Sequence, residues 1–548
     1  MKISYINFWP MKTKTDFWLF YFCKTIFKEE VILVAPNQNP EILFCSCFGS
    51  IENIRNTKAK IKIFFTGENI DRPEYNVYSN EKLMNELFDL RLAFHFNDIK
   101  NNKLRIPLWL TFYEYYNIDN DDDNFIKNLL RKRLKNIKNK KILGSLVCRH
   151  DRSGVRSKLF KELSKYGKVE SGGRFLNTGI LIKEGWENKI DFISKSKYTI
   201  CPENSKREGY CTEKIMHALE GGCIPLYWGV DIPEKDLLHE DSYCFINVEN
   251  DEIMKNQVKE SLSKEIKLNV FKKQSKYVLD NYYKTLEWQI KDKLNMVEKQ
   301  KIYGISYASR DFIRCKEKES VFKKSGYFDF FDMCGEDDID ENFKEKNKDI
   351  WYNSKRGGGW WIWKPYLIYK KLQNMNYNDI LVYLDGGSSL CNTVNAKKRF
   401  YEYIDMVNNH WTGHLRFILG SNCQEKQYTN QYTVNYFEKR YNTNMGKHVS
   451  YEQLMSTVHI IRKNKFTLDF FSEVIKILQD DKYLFCEKYT MSNEKHRHDQ
   501  SIMSLLYKHM NGNLILKDET WFSGTGGNGD FGRSKSLNYP IWATRYKN

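Results

Sequence analysis

With 548 residues, 41% of them hydrophobic and 15% aromatic, the chain has material for several packed cores, which excludes global disorder. The length corresponds to roughly three to four folding units. The net charge of +17 comes from lysines scattered among Asn, Ile and Asp, not from an arginine stripe. Nucleic-acid binding is therefore not expected, and the excess fits a lysine-rich surface with sites built for a diphosphate.

In chain order, Val31–Ala35, Glu41–Phe48 and Ile61–Thr66 read as short buried strands, with a helix such as Asp16–Phe27 between them. That alternation predicts an α/β layer with a parallel sheet. Tyr116–Lys141 is rich in Asn, Asp and Lys and reads as a connector with one amphipathic helix. The alternation then restarts: strand Ile142–Cys148, helix Ser153–Tyr166, strand Tyr198–Pro202, helix Thr212–Glu220 stopped by Gly221-Gly222, strand Cys223–Trp228. Residues 250–298 read as a packing helix and an inter-domain connector. From Tyr303 a third α/β pattern begins, with strand Ile302–Tyr307, helix Pro365–Gln373 and strands Asp379–Leu384 and Phe417–Gly420.

Thirteen cysteines lack regular spacing, Cys45-Ser-Cys47 being the only close pair, so free thiols in a reducing compartment are expected. The apolar stretch Phe17–Phe22 is too short for a signal or span and is bracketed by Lys14, Asp16 and Lys24. No membrane span is expected, and a soluble, cytoplasmic protein is.

Five segments carry chemistry: Phe64–Asn69 (FFTGEN), Arg105–Leu108 (RIPL), Val155-Arg156 with Ser171–Asn177 (SGGRFLN), Pro202–Lys214 (PENSKREGYCTEK) and Gly221–Gly229 (GGCIPLYWG). In the fourth, a strand delivers Glu203 and Asn204 to its carboxyl edge, and Thr212-Glu213-Lys214 opens a helix. In doubly wound sheets ligands sit at that edge, with anions at helix N-termini. A lysine there can neutralise a diphosphate, and an adjacent glutamate can accept from hydroxyls. The same strand–loop–helix can also be purely structural.

The Pro202–Lys214 run resembles the donor signature of the α1,3/α1,4-fucosyltransferase family, ENxxxxxYxTEK, through Glu203-Asn204, Tyr210 and Thr212–Lys214. The other four segments follow in the family's order, and the resemblance covers about residues 1–280. It implies two Rossmann-like halves in the GT-B arrangement, 1–140 on the acceptor side and 141–280 on the donor side. It further implies inverting transfer of fucose from GDP-fucose to a glycan acceptor. On this resemblance Glu68 falls at the general base, Arg156 and Lys214 at the pyrophosphate, and Asn204, Tyr210 and Glu213 at other donor contacts. Two fixed cations can do the work of a metal ion on the leaving diphosphate, so no cofactor is expected for this step. The alternatives are a turn residue for Glu68 and a helix-face ion pair for Arg156. Pro202 and the charged Lys206-Arg207-Glu208 depart from the family pattern.

The last 250 residues hold Gly357–Tyr366 (GGGWWIWKPY), Leu381–Gly387 (LVYLDGG) and His496–Leu505 (HRHDQSIMSL). A GT-A transferase ends a strand in Asp-x-Asp to hold Mn²⁺ or Mg²⁺. Here Asp385 is present, and Gly387 stands where the second carboxylate would be. Together the three segments resemble bacterial and viral polysaccharide-type glycosyltransferases over about residues 300–510. That resemblance implies a GT-A-like domain over 301–548, joined by a linker at 281–300. It would have Asp385 on Mn²⁺ or Mg²⁺, Asp499 at the reaction centre, and Trp363, Lys364 and Gln500 on a second nucleotide sugar of the UDP type. The structural alternatives are a strand-end cap for Asp385, an N-cap for Asp499 and core packing for the tryptophans. The chain thus reads as a bifunctional glycosyltransferase. The alternative is a single fucosyltransferase with a non-catalytic, glycan-binding C-terminal module.

Overall fold

The structure, a computed structural model, describes all residues except 10–16, 114–123, 139, 231–233, 310–312, 353–355, 421–422, 523–530, 533–534 and 545–548. The chain divides into two units, Met1–Val297 and Glu298–Asn548.

The first unit contains two parallel sheets. One is built from β1 (Lys2–Ile6), β2 (Ile32–Leu33), β3 (Ile42–Cys45), β4 (Ile61–Phe65), β5 (Leu90–Ala93) and β6 (Lys103–Arg105), in the order β2-β1-β3-β4-β5-β6. Neighbours pair in parallel throughout. β3 and β4 are nearly continuous apolar runs, as strands covered on both faces must be. β5 is harder to see in the sequence because it carries a buried arginine. Arg91 is held there by Glu81, Asn85 and the Asn101 carbonyl.

The other sheet of this unit has β7 (Ile142–Leu146), β8 (Val169–Ser171), β9 (Ser196–Pro202), β10 (Ile224–Trp228) and β11 (Cys244–Phe245), in the order β11-β10-β9-β7-β8. All of its pairings are parallel as well. Tyr198, Ile200, Ile224 and Leu226 pack with Leu159 and Leu163 of the helix Val155–Leu163. The helix Glu213–Glu220 ends where expected, with Gly222 in the left-handed region at φ 68°. A Cβ on Gly222 would lie 2.9 Å from the Asn136 and Ile137 backbone, so glycine also admits a close helix neighbour.

That neighbour, Asn124–Ile137, lies within the stretch read as a connector, yet it is a packed element. Its Arg133 is fully buried and donates to the Leu219 and Cys223 carbonyls. The linker expected at 281–300 is also corrected. Ser275–Lys293 is one helix of the first unit, burying Tyr282, Tyr283, Leu286 and Ile290. Its lysines lie on the outer face and disguise a core helix as a polar connector.

The second unit has a mixed six-stranded sheet of β12 (Ile302–Tyr307), β13 (Phe330–Cys334), β14 (Ile380–Asp385), β16 (His414–Ile418), β17 (Val458–Arg462) and β18 (Ile515–Lys517). A two-stranded antiparallel pair of β15 (Ser389–Leu390) and β19 (Ile541–Trp542) lies beside it. In the large sheet the order is β13-β12-β14-β17-β16-β18. β12, β13 and β14 are parallel, and β17 runs against both β14 and β16. Val382, Leu384, Leu415, Phe417 and Ile460 pack with Phe400, Tyr403 and Val407 of the helix Val394–Asn409. Among the described residues no helix is long and apolar enough to cross a membrane. The described cysteines are free.

Candidate functional site

The carboxyl ends of β7 and β9 carry the expected donor residues. β9 delivers Glu203 into the interior, where no part of it is exposed. Its two oxygens divide the work. Oε1 accepts from the Thr212 backbone N–H at 2.7 Å, and Oε2 accepts from Thr212 Oγ1 at 2.7 Å and Lys214 Nζ at 3.1 Å. Lys214 also donates to Thr212 Oγ1 at 2.8 Å. An ammonium has three N–H donors, so one of the three on Lys214 is uncommitted by these two bonds. Burial works against its charge, but Glu203 and Glu213 prevail and hold its pKa above the ordinary lysine range. Glu213 is 3.6 Å from Lys189. Against the cost of burial, Lys214, Lys189 and His217 keep its carboxyl well below the usual range.

Arg156 enters from the second position of the helix Val155–Leu163, which starts after Gly154 at φ 73°. Asp151 closes the helix start by accepting from the Arg156 and Ser157 backbone N–H groups. The guanidinium donates to the His150 carbonyl at 2.6 Å and to Asn204 Oδ1 at 2.8 Å. Arg156 and Asn204, far apart in sequence, are thus one bonded unit. Tyr210 lies near enough to Lys214 and Glu203 for both charges to act on its hydroxyl. It is buried edge-on against Phe94, with ring centroids 4.9 Å apart, and occupies a packing position.

Glu68 sits in the turn after β4, its side chain about one-third exposed and 3.3 Å from Arg72. Gly67 packs closely there: a Cβ would lie 2.5 Å from the Leu108 side chain of the RIPL segment, which would have to shift. The next residue ties this turn to the donor loop: Asn69 Nδ2 donates to Ser205 Oγ at 2.7 Å. Arg207 donates to Asn69 Oδ1 and forms an ion pair with Asp71 at 2.6 Å. Both sheets therefore contribute to one rim, with Glu68 on one side and the 203–214 segment on the other.

Sequence reasoning left Glu203, Thr212 and Arg207 out of the site. A buried glutamate at a strand end, followed by Thr-x-Lys at a helix start, was the available signal. The Arg105 of RIPL is a further tie. It donates to the Gly209 carbonyl at 2.7 Å and pairs with buried Glu234, which also accepts from Trp109 Nε1 at 3.0 Å.

In the second unit the residues expected to bind donor and metal do meet, around an ammonium. Lys364 Nζ lies 3.0 Å from Asp385 Oδ1, 3.1 Å from Asp499 Oδ2 and 3.0 Å from the Ser456 carbonyl. Asp385 Oδ1 also accepts from Tyr383 OH. Gln500 is turned inward, donating to Gln453 and accepting from the Ser456 N–H. Trp363 stacks on Tyr307 at 3.8 Å. Among the described residues no group of three or more His, Cys, Asp or Glu could hold a metal ion. A divalent cation on Asp385 would lie beside the buried Lys364 ammonium, which with Tyr383 already engages Oδ1, and its charge would be opposed there.

The family profile of the α-(1,3)-fucosyltransferase FucT N-terminal domain matches residues 3–113, and that of the glycosyltransferase family 10 (fucosyltransferase) C-terminal domain matches 136–303. The α-(1,3)-fucosyltransferase FucT of Helicobacter pylori is 26% identical over 274 residues, 45% of this chain. The chain spans about half, 54%, of that relative's length. Two crystal structures of α1,3-fucosyltransferase, with GDP and with GDP-fucose, are 22% and 23% identical, with TM-scores of 0.36 and 0.35. Each covers 52% of this chain and 90% of its own. Residues 3–113 and 136–303 thus match the two domains of the fucosyltransferases, the second of them the C-terminal domain of glycosyltransferase family 10.

Proposed function

We propose that the first unit transfers fucose from GDP-fucose to a glycan hydroxyl in an α1,3 linkage, with inversion at the anomeric carbon. The observation that carries this reading is the pair of cations anchored at the carboxyl edge of the β7–β11 sheet. Arg156 is fixed by Asn204, and Lys214 by Glu203 and Thr212. The family matches and the name of the Helicobacter pylori relative support this donor and linkage.

In this proposal Glu68 takes the proton of the acceptor hydroxyl as its oxygen attacks the anomeric carbon. The bond to the diphosphate breaks on the opposite face, and the electron pair leaves with GDP. Lys214 and Arg156 stabilise the charge that develops there. Both are held before substrate arrives, so little reorganisation opposes the step. Glu213, kept ionised, is placed to accept hydroxyls of the donor. Tyr210 supports the loop by packing, and no metal is needed to neutralise the leaving group.

Transfer of a second sugar by the Glu298–Asn548 unit is left out of this proposal. Both family matches end by residue 303, and Lys364 is fully engaged by its internal acceptors. The test is donor hydrolysis and transfer by the full chain across a panel of nucleotide sugars. GDP-fucose should be used, with activity retained in EDTA. Turnover of another nucleotide sugar in its place, or strict Mn²⁺ dependence, would overturn the reading.

A further inference from the structure

The second unit concentrates polar groups at one end of β12 and β14. Tyr307 and Asp385 are register partners in this parallel pair, so their side chains leave the sheet on the same face. The Asp385 side chain is 32% accessible, whereas Lys364 and Asp499 beside it are buried. Lys364 spends all three N–H donors on Asp385, Asp499 and the Ser456 carbonyl. It has none to offer a phosphate, and its charge offsets the carboxylates that a divalent ion would need.

Two further groups point to a ligand independently of this cluster. Tyr307 is only 6% exposed and Ser388, three residues past Asp385, only 1%. Neither hydroxyl has a hydrogen-bond partner among the described residues. Leaving a buried hydroxyl unpaired costs stability, which a ligand accepting from it would restore. Gly358 puts no side chain over Tyr307: a Cβ there would come no closer than 3.9 Å to the hydroxyl and 3.7 Å to Trp363 Nε1. The preceding and following residues continue the same turn, which brings the half-buried Trp360 and Trp361 alongside, Trp361 stacked on His498 and Trp360 tilted against it.

We propose that this end of the sheet is a carbohydrate site of the second unit, taking a neutral saccharide without a metal ion. Asp385 accepts sugar hydroxyls, Tyr307 donates to one, and the tryptophan faces take the apolar side of a ring. Lys364 is a positioning residue, orienting Asp385 and Asp499 in place of a cation. The site lies in a different unit from the fucosyl-transfer residues and does not depend on that reading.

Saturation-transfer NMR of the full chain in EDTA tests it, with glucose, galactose, mannose, N-acetylglucosamine, lactose, maltose and cellobiose as probes. At least one should receive saturation, and Tyr307→Phe and Asp385→Asn should each abolish that signal while thermal unfolding stays unchanged. Signals that persist in Tyr307→Phe belong to another site and do not count. If no probe gives a Tyr307-dependent signal, the assignment fails. It also fails if Mn²⁺ binds the full chain in a manner lost in Asp385→Asn, or if UDP displaces the saccharide. Were Asp385→Asn to unfold the unit, Tyr307→Phe alone would decide, since it removes one unpaired hydroxyl and leaves the ring in place.

Discussion

Glu203 Oε2 accepts from Lys214 Nζ at 3.1 Å while its other oxygen caps the Thr212 N–H, so one buried carboxylate sets both the helix start and the ammonium. Lys214→Ala should lower kcat/KM for fucosyl transfer by roughly a few hundred-fold, the scale of losing one charge at a developing anion. Glu203→Gln keeps the shape but removes the countercharge, and should cost roughly 10- to 100-fold, as losing an orienting partner does. Steady-state kinetics with GDP-fucose would check both. Equal KM and kcat in Glu203→Gln and wild type would show that Lys214 does not rely on it.

Glu68 stands 3.3 Å from Arg72, on the rim opposite the donor loop. As general base it should be sensitive to loss of charge alone. Glu68→Gln should leave GDP-fucose affinity unchanged and slow transfer by roughly 10²–10⁴-fold. Calorimetric titration of GDP-fucose beside single-turnover rates separates the two quantities. A parallel loss of affinity would move Glu68 from chemistry to donor binding.

Much of the first unit was legible because its strands are apolar runs with glycine or polar ends, and its motifs sit where those strands stop. The sequence does not reveal which residues meet. Arg156 with Asn204 and Asn69 with Ser205 are contacts across long separations, and no local period encodes them. The packing of Tyr210 against Phe94 is likewise not encoded by its motif position. In the second unit Asp385, Lys364 and Asp499 were each singled out, but separately, as metal ligand, donor contact and reaction-centre residue. That the lysine lies between the two carboxylates depends on how the start of the helix Trp363–Gln373 docks on β14, which spacing alone cannot give.

Arg105 and Glu234 form a buried ion pair, their side chains 9% and 3% exposed, with Tyr282, Trp109 and the Gly209 carbonyl completing the network. Removing one partner strands the other charge in the interior. Arg105→Ala should therefore destabilise the first unit by about 3–5 kcal/mol. Denaturant unfolding followed by tryptophan fluorescence would measure it. A change below about 1 kcal/mol would mean that water reaches Glu234 and takes over the lost bonds.

His217 gives the first unit a built-in acid sensitivity. It lies on the helix Glu213–Glu220, almost wholly buried between Trp186 and Phe112, and neither ring nitrogen has a partner among the described residues. Burial pushes its pKa down to about 3, with Lys189 and Lys214 adding to the effect and Glu213 opposing it. An unfolded histidine titrates near 6.5. Between about pH 6.5 and 3 the unfolded chain therefore binds a proton that the folded one refuses. Stability from this group is fully present above about pH 6.5 and drains away as pH falls through that window. His217→Met keeps an apolar side chain of similar bulk and removes the titration. The melting temperature of that variant should fall less steeply than wild type between pH 6.5 and 4, and should be no lower at pH 7.5, since no hydrogen bond is lost. His95, held at about 4 by burial, and the buried His414, His459 and His498 remain in both proteins and leave a residual slope. Identical slopes in wild type and His217→Met would show that the ring takes up its proton without unfolding, which would require solvent to enter between Trp186 and Phe112.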